Sequence, residues 1–171
     1  MRAGLLLVCL LSLFILTGCG YKPSSYYVKK ELSGKIFVDL KVSLQDPRNS
    51  VIIKDIMNKL IVNRLDSQIV NSKELADTVL KLKLNSVSMQ ELQYDSLGYN
   101  KLYKAVVSIL VEYKNKKSTK KNSFKVSSDY DFSIDNGTTI TDTKRYEAIK
   151  VAAKRALDDV ISKLAVSSFK E

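Results

Sequence analysis

The densest run of one chemistry lies between Lys101 and Lys125, where Lys101, Lys104, Lys114, Lys116, Lys117, Lys120, Lys121 and Lys125 face a single carboxylate, Glu112. Ammonium groups gathered in this way concentrate anions and pair with phosphate, so the run reads as a site for a phosphorylated lipid, a glycan or another polyanion. A lysine-rich turn also serves as a solvated hairpin tip that discourages edge-to-edge aggregation, and residue types alone leave both readings open. Two carboxylate pairs, Asp129 with Asp131 and Asp158 with Asp159, have the residue type used for acid–base chemistry. The first pair shares a polar strand face and the second sits on a helix flank, positions that favour solvation. The chain contains no His and no Trp, which removes imidazole bases, His-ligated metals and Ser-His or Cys-His pairs. With no Gly-rich phosphate loop, metal-ligand spacing or nucleophile elbow either, the expectation is a protein that is not an enzyme and holds no cofactor or metal.

The second chemical signal is covalent. Arg2 provides a positive start, and Leu5 to Leu16 is apolar apart from Ser12, too short to cross a ~30 Å hydrocarbon core as a helix. It reads as the apolar part of a signal peptide. The run ends in Leu16-Thr17-Gly18-Cys19, which resembles the lipobox of bacterial lipoproteins, cleaved directly before the cysteine. Cleavage there would remove residues 1–18 and leave Cys19 as an acylated first residue, each chain adding about 0.8 kcal/mol per buried methylene to the anchor. Gly20, rather than Asp, follows that cysteine, and lipoprotein sorting then points to the outer membrane. The other cysteine, Cys9, falls in the removed segment, so packing alone must stabilise the mature chain.

These signals need a scaffold. A chain of 171 residues with 45% apolar and 27% charged residues is ordinary for one folded domain, and its net charge of +10 is concentrated in the lysine run. Residues 19–34 carry no sustained period and read as the lipidated N-terminus and a tether of roughly 20 Å, leaving 35–171 as a single α+β domain. Ile36, Val38, Leu40, Val42 and Leu44 alternate with polar residues as in a strand buried on one face. After the break at Asp46-Pro47-Arg48-Asn49, the apolar residues Ile52, Ile53, Ile56, Met57, Leu60, Ile61 and Leu65 have helical spacing. Leu80, Leu82 and Leu84 share one parity and Val87 and Met89 the other, which places a bulge near Asn85-Ser86. Tyr94 to Lys101 is turn chemistry with two tyrosines. Alternation from Tyr103 to Tyr113 and from Phe124 to Ile134 marks a long hairpin closed by the lysine-rich turn, and Tyr146 to Leu164 follows as a helix starting near Asp142 or Thr143. The expected architecture is a two-layer sandwich, two helices packed on one face of a mostly antiparallel four- to five-stranded sheet.

A lipobox cysteine followed by Gly20-Tyr21, then a strand, a helix, strands, a long hairpin and a C-terminal helix, resembles the LptE family of lipopolysaccharide-assembly outer-membrane lipoproteins over almost the whole chain. The resemblance implies a noncatalytic protein that sits inside an LptD-type outer-membrane β-barrel, supports its assembly and binds lipopolysaccharide during delivery to the outer leaflet. It places the protein at the outer membrane, anchored through Cys19, facing the periplasm or within the barrel lumen, with no nucleic acid among its partners. Lys114, Lys116, Lys117, Lys120 and Lys121 are the expected contacts to lipopolysaccharide phosphates, and Tyr94, Tyr99 and Tyr103 either contact the barrel wall or pack the ends of the sheet. The alternative is an accessory lipoprotein, an adaptor of a periplasmic lipid-trafficking ABC system that never enters a barrel.

Overall fold

The structure, a computed structural model, describes residues 26, 28–29, 32, 34–42, 47–94, 96–118, 121–135 and 139–168. Four strands and two long helices follow in the order β1 (Ile36–Lys41), α1 (Pro47–Leu65), β2 (Thr78–Tyr94), β3 (Asn100–Asn115), β4 (Asn122–Ser133) and α2 (Asp142–Ser168). The sheet order is β1-β2-β3-β4. β1 pairs with β2 in parallel, as a strand–helix–strand crossover requires, and the other two pairings are antiparallel. The α+β sandwich therefore stands as expected, with a four-stranded mixed sheet among the described residues.

Pro47 occupies the first helical position of α1, where its missing N–H costs no hydrogen bond, so the helix starts inside the stretch read as a break. It ends where Asp66 adopts φ 49°, the left-handed conformation that unwinds a helix terminus. The helical spacing buries Ile52, Ile53, Met57, Leu60, Ile61 and Leu65. In α2, Thr141 Oγ1 accepts the Lys144 N–H at 3.2 Å and the Thr141 carbonyl accepts that of Arg145 at 2.9 Å. Thr141 is thus the cap, one residue before Asp142. Helix α2 presents Ala148, Ala152, Ala153 and Ala156 to the core, small residues that let its backbone approach the sheet, and Leu157, Val160 and Leu164 complete the stripe.

The two helices pack on the sheet face formed by Val38, Leu80, Leu82, Ala105, Val107, Ile109 and Val111. A register shift between Leu84 and Ser86 returns Val87 and Met89 to that face, so the parity change is a bulge that keeps a seventeen-residue strand amphipathic. Gln68 to Val70 closes part of the β1 edge: Ile36 N–H donates to the Gln68 carbonyl at 2.9 Å and Val70 N–H to the Ile36 carbonyl at 3.0 Å. Edge strand β4 is shielded from the other side, since Arg155 and Lys163 of α2 donate to the carbonyls of Asp129 and Lys125 at 3.0 and 2.6 Å. Val28 and Leu32, inside the segment read as tether, are fully buried in the same core.

Candidate functional site

The β3–β4 turn and the start of β2 meet at one end of the sheet. In the register, Val79 lies beside Lys114 and Lys81 beside Glu112, so alternation places Lys81, Glu112 and Lys114 on the side away from the helices. Residues 73–77 fold against the turn. Lys116 N–H donates to the Asp77 carbonyl at 2.8 Å and Lys116 Nζ to the Glu74 carbonyl at 2.7 Å. Asn115 serves both sides, its side-chain amide donating to Thr78 Oγ1 at 3.0 Å while its Oδ1 accepts the Lys117 N–H at 2.9 Å. These bonds hold open a groove of about 670 Å³ lined by Lys73, Glu74, Val79, Lys81, Glu112, Tyr113, Lys114, Lys116 and Lys121.

Five ammonium groups and two carboxylates line that groove. Lys121 Nζ lies 2.8 Å from Glu112 Oε2, and this hydrogen bond, with the charges of Lys121, Lys81 and Lys41, holds the Glu112 carboxyl below its ordinary range against a smaller desolvation effect. Glu74 is also lowered, first by its own backbone N–H, then by the Ser72 hydroxyl, with Lys73 and Lys116 adding to the effect. Among the described residues, Lys73, Lys81 and Lys114 form no ion pair. The groove therefore offers cationic donors over an apolar floor, an arrangement that pairs with phosphate oxygens.

Three of the five lysines expected at the site, Lys114, Lys116 and Lys121, line the groove. Lys117 is exposed in the turn but outside the lining, and Lys120 lies outside the described residues, as does Cys19. Lys101 and Lys104 do not join them: at about 3.4 Å per residue, Lys101 sits roughly 45 Å from Lys114 along β3. Lys104 is occupied by Asp129 and Asp131 at 3.5 and 3.7 Å, which accounts for that carboxylate pair. Asp158 pairs with Arg64 at 3.0 Å across the two helices, and Asp159 is exposed.

Lys73 and Lys81 were missed by sequence reading because both lie far outside the lysine run. The alternation of Lys81 and Lys83 with Leu80, Leu82 and Leu84 was the available signal, since it puts lysines on the uncovered face. Of the tyrosines expected to face a partner, Tyr94 and Tyr99 are 56% and 52% exposed at the far hairpin. A hydrogen bond to Glu91 raises the Tyr94 phenol above its ordinary value. Tyr103 requires a correction: it is 8% exposed and stacked on Phe132 at 5.8 Å, because its parity turns it into the helix-covered face. Among the described residues no His, Cys, Asp and Glu cluster has metal-site geometry, and no helix is long and apolar enough to cross a membrane.

Residues 37–164 match the family model described as LptE, lipopolysaccharide-assembly. Solved structures share the fold. The rare lipoprotein B from Shewanella oneidensis superposes with a TM-score of 0.54 at 16% identity, covering 80% of this chain and 98% of that chain. The uncharacterized lipoprotein B from Nitrosomonas europaea gives 0.52 at 10% identity, over 79% and 84% of the two chains. A putative lipoprotein from Caulobacter crescentus CB15 gives 0.51 at 14% identity, over 86% and 99%. No curated protein matches the sequence.

Proposed function

This chain belongs to the LptE lipopolysaccharide-assembly family, and from that premise we propose that it is a noncatalytic outer-membrane lipoprotein, anchored through Cys19, that plugs an LptD-type β-barrel, supports its assembly and binds lipopolysaccharide during insertion into the outer leaflet. The observation that carries the ligand part is the groove of about 670 Å³, in which Lys73 and Lys81 join Lys114, Lys116 and Lys121 at one end of the sheet. Phosphates on the lipopolysaccharide carry the complementary charge, and the apolar floor beside Val79 accommodates the less polar part of the headgroup region. The opposite end of the sheet, with Tyr94 and Tyr99 exposed at the β2–β3 hairpin, presents aromatic surface of the kind enriched at protein interfaces and is assigned to the barrel wall.

The test is purification of the full-length lipoprotein from detergent-solubilised outer membranes, followed by mass spectrometry of what survives a salt wash. A stoichiometric large β-barrel is the expected partner. Recovery with components of a lipid-trafficking ABC system and no barrel overturns the plug reading in favour of an adaptor. Replacing Lys114, Lys116, Lys117, Lys120 and Lys121 by Ser should weaken lipopolysaccharide binding and leave barrel association intact; unchanged binding removes the ligand role from these lysines.

A further inference from the structure

The groove contains its own anion. Of its two lining carboxylates, Glu74 is satisfied by its own backbone N–H and Ser72, whereas Glu112 reaches Lys121 at 2.8 Å. Lys116 is held as well, but by the Glu74 carbonyl at 2.7 Å, a neutral acceptor. Glu112 extends from the inner strand β3 near its turn end, opposite Lys81 in the register, so its carboxylate lies between cations of β2 and of the turn. A ligand that engages Lys121 must take it away from a carboxylate that is already there.

Resting on the phosphate-binding reading of this groove, we propose that Glu112 is a displaceable internal competitor that makes the site selective for phosphate groups over carboxylates. The physical reason is an exchange of like for like. A ligand carboxylate that displaces Glu112 replaces one singly charged acceptor with another and gains nothing at Lys121. A phosphomonoester carries about −1.5 to −2 charge at pH 7 and three acceptor oxygens, so it can bridge Lys121 to Lys114 and recover more than it displaces. The released Glu112 carboxylate then falls back toward Lys81 and Lys41, the other cations acting on it. Because the displaced contact is partly exposed, the competition is mild and the ligand remains exchangeable, as a transport step requires.

The test compares the full-length wild type with Glu112→Gln and Glu74→Gln, each folded by circular dichroism, titrated with detergent-solubilised lipopolysaccharide, with inorganic pyrophosphate and with citrate. Both variants lose one negative charge from the same groove, but only the first frees Lys121. The expected result is that Glu112→Gln binds lipopolysaccharide or pyrophosphate about two- to fivefold tighter, the span of an exposed ion pair, and gains proportionally more for citrate, while Glu74→Gln changes little. Adding Lys121→Ser should abolish the gain. A gain confined to lipopolysaccharide identifies a phosphorylated lipid as the source, and a gain confined to pyrophosphate identifies a soluble phosphate. Equal tightening in both Gln variants, or none in Glu112→Gln while the wild type binds, overturns the competitor role. Failure of all three proteins to bind any phosphate probe overturns the phosphate-binding reading and this inference with it.

Discussion

Lys35 and Asp77 are joined in both directions, the Lys35 N–H donating to Asp77 Oδ2 at 2.8 Å and the Asp77 N–H donating to the Lys35 carbonyl at 2.8 Å. The Asp77 carbonyl in turn accepts the Lys116 N–H at 2.8 Å, so the start of β1, the start of β2 and the lysine turn share one hinge residue. Close contact makes the neighbour of Lys35 a glycine: Gly34 has φ 78°, and a Cβ there would lie 2.7 Å from both Cβ and Cγ of Asp77. The cationic groove is thereby built on a junction of three chain segments.

Gly34→Ala should destabilise the domain by about 1–3 kcal/mol, from the left-handed backbone and the collision with Asp77. Asp77→Ala should cost about 1 kcal/mol through the unmatched Lys35 N–H. In the double variant the contacts with Asp77 Cγ and Oδ2 are gone and only that with Cβ remains, so the double variant should cost less than the sum of the two single costs in urea denaturation, and strict additivity would show that the contact is not the cause.

Helix α2 rides close to the sheet because its core row is alanine. Ala156→Leu should therefore destabilise by about 1–3 kcal/mol through overpacking, although it raises hydrophobicity and leucine is itself a good helix former. Leu157→Ala, one position along, should cost about 2–5 kcal/mol for the opposite reason, a cavity. Urea midpoints of the two variants check both signs.

For ligand binding, position in the fold should outrank position in the sequence. Lys81→Ser, outside the lysine run, should weaken lipopolysaccharide binding about as much as Lys114→Ser, whereas Lys101→Ser at the far end of β3 should leave it unchanged. Titration of the three variants decides this, and an effect of Lys101→Ser equal to the others would reduce the site to net charge.

The Glu112–Lys121 pair gives a pH signature. Because Glu112 is lowered in the folded protein, its contribution to stability is present above the ordinary carboxylate range and is lost as the pH falls through the lowered value. The wild type should accordingly be more stable than Glu112→Gln at neutral pH, with the difference shrinking only in acid. Chemical denaturation of both proteins across an acid pH series measures it, and a difference that instead grows in acid would contradict the pairing.

The order of elements was legible in the chain because each carries its own period: two for Tyr103 to Tyr113 and Phe124 to Ile134, helical for Ile52 to Leu65 and Tyr146 to Leu164, and a parity change at Asn85-Ser86 that became the bulge. Which faces are buried follows from the same local pattern, so the two-layer sandwich could be read without coordinates. Helix starts were less legible, since Pro47 acts through its fixed φ and Thr141 through a capping hydroxyl, and neither carries an apolar period.

The site was only half legible. Sequence proximity grouped Lys101 and Lys104 with the turn lysines, but an extended strand separates residues by length, and Asp129 and Asp131 of the paired strand neutralise Lys104. Conversely, the parallel β1–β2 pairing and the antiparallel β2–β3 register bring Lys73, Lys81 and the turn together across more than thirty positions of sequence. Periodicity is a local property and fixes what each segment must bury. Register is a property of pairs of distant segments, and it alone decides that Glu112, the single acid of the lysine run, faces Lys121 inside the groove.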